Sequence, residues 1–252
     1  MDHPWTPSED DRALAAILGP GSAFVQVDGG WAHVTGPTAA GRSPVLDLVQ
    51  ALWELDPRVA HIALRRRIRT TDPVTPADRA ICDVAAKRVC HVDGAPGKTL
   101  TSADLGAYAA RARERAAGAA ISVEALGLPP DPAAWIASLV PAGDDLPLAR
   151  RDRPVVAVLA GPDGRILYAA RNAGGANRTL HAELCLVQGH GALPAGATVY
   201  TSLQPCRMCA AILVDAAAGP LAVRYLEPDP GRLATRTALQ DRHWEQRMTP
   251  RG

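Results

Sequence analysis

Apolar residues fall into two spacings along this 252-residue chain, and the change from one to the other marks its elements. Residues 155–160 form a short continuous apolar run, Gly161-Pro162-Asp163-Gly164 interrupts it, and 165–170 resume it, which predicts a β-hairpin. Helical spacing follows over 179–188, a strand over 198–203, and a helix over 205–217 with Pro205 in its first turn. A strand at 221–226 and a helix at 232–244 complete the order β, β, α, β, α, β, α. Helices alternating with strands in this way are the crossovers of an α/β sheet.

The same patterning upstream predicts helix 12–18 and a hairpin of 23–27 with 31–34 around Asp28-Gly29-Gly30. Helix 44–55, strand 60–63, helix 76–87, strand 89–92 and helix 102–116 follow. Between the halves, 124–154 is rich in Pro, Ala, Gly and Asp and reads as a connection carrying one helix near 133–139. The expected domains are therefore 1–123, a linker at 124–152, and 153–252. Because the element order is the same in both halves, the chain is read as two copies of one fold. Thr75-Pro-Ala-Asp-Arg-Ala against Gln204-Pro-Cys-Arg-Met-Cys suggests it, as does His91-Val-Asp-Gly-Ala-Pro-Gly against Tyr225-Leu-Glu-Pro-Asp-Pro-Gly. In that alignment Ala77 and Ala80 stand opposite Cys206 and Cys209. An unrelated α+β domain is the alternative.

Composition changes the picture by exclusion. With 47% apolar residues, 21% charged residues and a formal net charge of +1, the chain is neither disordered nor a polycation built for bulk nucleic-acid binding. No stretch of about eighteen apolar residues occurs, and the first ten residues lack a basic region followed by an apolar one. A cytoplasmic protein with no membrane partner is the expectation. The five cysteines, an odd number without framework spacing, agree with a reducing compartment. Cys82, Cys90 and Cys185 lie in apolar runs and read as core.

The remaining two cysteines carry the candidate chemistry. His181-Ala182-Glu183 and Pro205-Cys206-Arg207-Met208-Cys209 put one imidazole, one carboxylate and two thiols at successive helix starts. Cys206 and Cys209, three apart, share a helix face. Three ligands leave a tetrahedral zinc its fourth position for water, as catalytic sites require. Helix N-termini favour thiolate, and Glu183 is free to move protons. A closed structural zinc site would need a fourth ligand, and no further His or Cys lies close in sequence.

These strings resemble the signature of the zinc-dependent cytidine deaminase-like superfamily, over about 153–244. The resemblance implies a three-layer α/β/α fold with a mixed sheet, preceded here by a second α/β domain that is either a degenerate copy or unrelated. It also implies Zn2+ held by His181, Cys206 and Cys209, hydroxide attack at C4 of cytosine or C6 of adenine, and Glu183 as acid/base. Thr201 to Ala211, TSLQPCRMCAA, is similar to the nucleic-acid-editing branch that includes tRNA adenosine deaminases. Gln204 departs from the Glu common there. Asn177 to Glu183, NRTLHAE, together with a separate N-terminal domain, resembles a bacterial group of two-domain deaminases named for a Bdellovibrio protein.

Substrate contacts are expected from Asn172, which resembles a nucleoside-contacting Asn of that branch, from Arg171, and from Trp244 on the last helix. From Arg150 onward there are thirteen Arg, no Lys and eight acidic residues, a net of +5 against −4 for the rest, which suits phosphates. RNA or single-stranded DNA is the expected substrate. A free nucleoside, nucleotide or base, and a zinc-stabilised binding module without turnover, are the alternatives. Cytosine against adenine stays open, as does assembly, whether as a homo-oligomer or as a pseudo-dimer within one chain.

Overall fold

Ser8 starts the first helix of the computed structural model by accepting from Asp11 N at 3.1 Å while the Asp11 carboxylate accepts from Ser8 N at 2.8 Å. This helix, α1 (Glu9–Leu18), is followed by the antiparallel hairpin β1 (Ser22–Val27) and β2 (Gly30–Thr35). The chain continues through α2 (Pro44–Leu55), α3 (Pro57–Ala63), β3 (Arg67–Thr70), α4 (Pro76–Ala85), β4 (Arg88–His91) and β5 (Ala103–Asp104) to α5 (Gly106–Ala117). The residues described are 5–85, 88–97, 99–123, 127–140, 154–175 and 177–249. Contacts divide the chain into Met1–Thr38 with Arg42–Arg111, and Ala39–Gly41 with Ala112–Gly252.

The N-terminal unit is built on a sheet of order β4-β3-β1-β2-β5, with β1 antiparallel to β2 and β3, and β3 parallel to β4. Leu14 and Ala15 of α1 pack with Phe24 of β1 and with Val92, and α2 lies against β1, β2 and β3. Residues 60–63, expected as a strand, are the end of α3. Asp56 caps that helix by accepting from Arg58 N, and Pro57 supplies a helical φ at its first position. The strand comes four residues later, where buried Ile68 and Thr70 alternate with Arg67 and Arg69.

The C-terminal unit carries α6 (Pro132–Leu139), β6 (Val156–Ala160), β7 (Ile166–Arg171), α7 (Ala182–His190), β8 (Thr198–Leu203), α8 (Arg207–Ala216) and β9 (Ala222–Glu227). A single 3-10 turn, Arg232–Ala234, the short α9 (Ala238–Asp241) and β10 (Glu245–Arg247) end it. Of the stretch read as a connection, 127–140 is described and contains α6, while 124–126 and 141–152 lie outside the described residues. The sheet order is β7-β6-β8-β9-β10, with β6 antiparallel to both neighbours and β8, β9 and β10 parallel.

Every residue of β6 is buried, as a strand covered on both faces demands. Val158, Ala160, Ala169 and Tyr200 pack with Ile136 of α6 on one face. α7 lies against β6 and β7, and α7 and α8 pack together. The result is a three-layer α/β/α unit with a mixed sheet, preceded by a second α/β unit. The approach of α7 to β7 is close: a Cβ on Gly189 would overlap the Tyr168 ring where it stands, so a larger residue would have to push that ring aside. Residues 232–244 do not form the long helix their spacing suggests, because Arg236 and His243 take positive φ (54° and 56°) on either side of α9.

Leu159 is fully buried in β6, whereas Leu167 on the neighbouring β7 is 41% exposed. Leu159→Ala is expected to lower unfolding free energy by about 2–5 kcal/mol and Leu167→Ala by under about 0.5 kcal/mol. Denaturant titration of the two variants followed by circular dichroism checks this.

Candidate metal and active site

The chain leaves β8 at Leu203, crosses Gln204 and Pro205, and enters α8 with Cys206 as the N-cap and Cys209 in the first turn. β7 ends at Arg171, and a loop leads to α7, whose N-cap is His181. Both N-cap residues have extended backbone, and neither side chain makes the usual capping bond to its own helix. They turn toward one another instead. His181 Nδ1 lies 3.6 Å from Cys206 Sγ and 3.4 Å from Cys209 Sγ.

Among the described residues these three form the group able to hold a metal, their ligand atoms all within 4.8 Å of one another. Zinc bound tetrahedrally by nitrogen at about 2.0 Å and sulfur at about 2.3 Å separates such atoms by about 3.6 Å. The donor set and the spacing therefore fit zinc, and three ligands leave one position open. First-turn N–H groups of two helices add positive partial charge at the same point. Cys206 ionises well below the ordinary thiol range because the Cys209 thiol donates to it, while Cys209 is held well above that range by the same bond and by burial.

Glu183 occupies the second position of α7 and is only 3% exposed. Burial pushes its carboxyl above the ordinary carboxylate range, against the opposing pull of His181. A carboxyl raised in this way is suited to both taking up and giving back a proton. The other cysteines lie elsewhere, and all five are free. Burial drives the thiols of Cys90 to about 11, Cys185 to about 12 and Cys82 higher still.

The structure thus brings His181, Glu183, Cys206 and Cys209 together. Asn172 stands just past β7, its side-chain oxygen accepting from Val155 N at 2.9 Å and its own N–H donating to Val155 O at 3.0 Å. Arg171 is exposed at the end of β7. Trp244 leads into β10, two strands from β8, where its carbonyl accepts from Val223 N and the Arg242 guanidinium lies 5.6 Å from its ring centre. It follows α9 rather than lying on a helix.

Two residues that shape the site carry no local signal in the sequence. Arg115, near the end of α5, donates from Nη2 to Ala173 O at 2.7 Å and Gly174 O at 3.1 Å, and so ties down the loop that delivers His181. Nothing short of the tertiary pairing distinguishes it from its neighbouring arginines. Asn177 is fully buried and accepts from Thr179 N and Oγ1, which folds the turn before the imidazole. Arg207 Nε donates to Thr235 O at 2.8 Å and anchors the segment after β9 to the start of α8.

Residues 147–250 match the family described as Bd3614-like deaminase. Curated relatives include tRNA(Ile)-lysidine synthase of Deinococcus deserti, 32% identical over 114 residues (40% of this chain, 21% of the relative). The same enzyme of Deinococcus radiodurans is 32% identical over 141 residues (51% and 23%). This chain thus spans under a quarter of the length of those relatives. A solved structure from a study of A-to-I editing by tRNA:A34 deaminases is 30% identical, covering 35% of this chain and 67% of that one, with a TM-score of 0.29. With its zinc-suited His-Cys-Cys group and buried glutamate at paired helix starts, the C-terminal part of the chain, residues 147–250, belongs to the cytidine deaminase-like superfamily as a Bd3614-like deaminase domain.

Proposed function

We propose that the protein is a zinc-dependent hydrolytic deaminase of a nucleobase, cytosine or adenine, in RNA or single-stranded nucleic acid, working in the cytoplasm. The observation that carries this reading is the meeting of His181, Cys206 and Cys209 with a buried Glu183 at two helix starts. Zinc held by those three side chains supplies a Lewis acid that lets water ionise near neutral pH. Glu183 takes the proton of the attacking water and delivers it to the departing amine nitrogen, which leaves as ammonia. His181, Cys206 and Cys209 hold the metal, while Arg115 and Asn177 keep the imidazole in place.

RNA is favoured as substrate because the curated relatives carry the names of tRNA-modifying enzymes. The nucleic-acid-editing branch is the matching assignment within the superfamily. Asn172, held at the end of β7 by Val155, is assigned to the target nucleoside. Arg171 and Trp244 are assigned to flanking phosphate and base. A stacked base is out of reach of such a site, so the target must be unpaired or flipped. No helix among the described residues is long and apolar enough to cross a membrane.

Purified protein incubated with tRNA, single-stranded DNA, and free cytidine and adenosine is expected to release ammonia from a nucleic acid. Conversion of the monomers alone would replace the polymer substrate by a free nucleoside. Turnover by none of them, with zinc bound, would leave a binding module.

Glu183→Gln is expected to lower kcat/KM by about 10²- to 10⁴-fold with zinc content unchanged. Metal analysis beside the kinetics separates loss of the proton carrier from loss of the ion.

Thiol accessibility gives an independent check. At pH 8 the zinc-loaded protein should resist alkylation at Cys82 and Cys185, whose thiols burial keeps protonated. Adding a chelator should expose Cys206 first, as mass spectrometry of the labelled peptides would show. Equal labelling of Cys206 with and without chelator would count against metal ligation.

A further inference from the structure

The two sheets agree strand for strand over four positions. β2-β1-β3-β4 in the N-terminal unit and β7-β6-β8-β9 in the C-terminal unit have the same order, and every pair has the same relative direction. Helices fall at the same places: α1 and α6 before the hairpin, α2 and α7 after it, α4 and α8 between the parallel strands. α3 and the fifth strands are where the units differ.

Register makes the correspondence residue by residue. Ala23 pairs with Thr70 as Ala157 pairs with Thr201, and Thr70 pairs with His91 as Thr201 pairs with Tyr225. Five residues past Thr70 stands Thr75, and five past Thr201 stands Cys206. Three more give Asp78 and Cys209. Ser43 is the N-cap of α2 as His181 is of α7. The three ligand positions are therefore Ser43, Thr75 and Asp78, two residues from the Ala77 and Ala80 that sequence similarity alone aligns with the thiols.

Those three side chains meet as the three ligands do. Ser43 Oγ donates to Asp78 Oδ1 at 2.7 Å, and Thr75 donates to Asp78 Oδ2 from Oγ1 at 2.9 Å and from its backbone N at 3.0 Å. Ser43 Oγ also accepts from Leu46 N, and Thr75 Oγ1 from Asp78 N, both at 3.1 Å, so each helix start is capped as well. Asp78 is 4% exposed and Ser43 8%. Two places past the N-cap, where α7 has Glu183, α2 has the buried apolar Val45.

We infer that the N-terminal unit is a second copy of the deaminase scaffold whose metal site has been replaced, at the same three positions, by a hydroxyl-carboxylate-hydroxyl clamp. The clamp joins the starts of α2 and α4 as zinc would join those of α7 and α8. It binds no metal, and Val45 leaves it no proton carrier. Among the described residues the chain accordingly offers one zinc site, and its N-terminal unit holds its shape whether or not zinc is present. The inference rests on the zinc reading of the C-terminal site only for that count.

The test restores ligands. In full-length protein carrying Cys206→Ser and Cys209→Ser, the further changes Ser43→His, Thr75→Cys and Asp78→Cys should create a site that takes one equivalent of Co2+ with a sulfur-to-cobalt charge-transfer band. The Cys206→Ser/Cys209→Ser parent should show no such band. A folded variant, by circular dichroism, that gains no band overturns the inference. Should the variant not fold, hydrogen exchange on the unaltered chain decides. Chelation should leave the Leu46 and Asp78 amides as protected as before, and their deprotection would overturn the clamp. A metal content of two per chain would do the same. Failure of His181 to bind zinc in the unaltered chain would instead strike the proposed function, leaving the cobalt result to judge the duplication.

Discussion

Two helices that begin at one point present a problem of like partial charges and unused donors, and the C-terminal unit is organised around it. α7 and α8 both bring first-turn N–H groups to the same place, with N-cap side chains that cap neither helix. Each missing cap forfeits about 1 kcal/mol. Two thiols and an imidazole are also withdrawn from water. On the proposed function, a zinc ion, whose binding to structural sites is worth on the order of 10 kcal/mol, would outweigh those losses severalfold. On that reading the caps are exchanged for ligands, and the fold around them keeps the three side chains from drifting apart. β8 sets the start of α8, the Gly189–Tyr168 contact sets how α7 lies on the sheet, and Arg115 and Asn177 set the loop between.

The N-terminal unit shows the other solution to the same problem. There the helix starts are capped conventionally, and the Ser43 hydroxyl of α2 reaches across to the Asp78 carboxylate that Thr75 also holds at the start of α4. No charge needs to be imported, and no coordination position is left for a substrate or water. One scaffold thus carries an open, chemically capable junction in one copy and a closed, self-satisfied one in the other. The difference lies in three side chains and the residue that follows the first N-cap by two.

Much of this was legible in the sequence because it is local. His181, Glu183, Cys206 and Cys209 announce themselves by residue type and by spacing at helix starts, and the apolar runs yield four of the five strands of the C-terminal sheet, β10 being missed. What escaped was set by distant contacts or by backbone. The reversal at Arg236 and His243 splits a segment whose side chains would suit one long helix. Asp56-Pro57 begins a helix where a short apolar stretch looks like a strand. Letter similarity set His91 opposite Tyr225 as the strands do, but at the helix entry it slipped by two residues, because Pro76 and Pro205 attract one another in a sequence comparison. The ladders decide between the two, because Ala23 faces Thr70 as Ala157 faces Thr201, which places Thr75 rather than Ala77 opposite Cys206.

The clamp at Ser43, Thr75 and Asp78 also bears on how the protein comes into being. A chain is made from its N-terminus, and domains generally fold in that order. The unit that emerges first closes its helix junction with groups already present in its own length, so its folding waits for nothing. The unit that emerges second presents an imidazole and two thiols whose best partner must arrive from solution. If that partner is the zinc proposed above, metal supply governs the completion of the C-terminal half alone, against a neighbour in the same chain that is already complete.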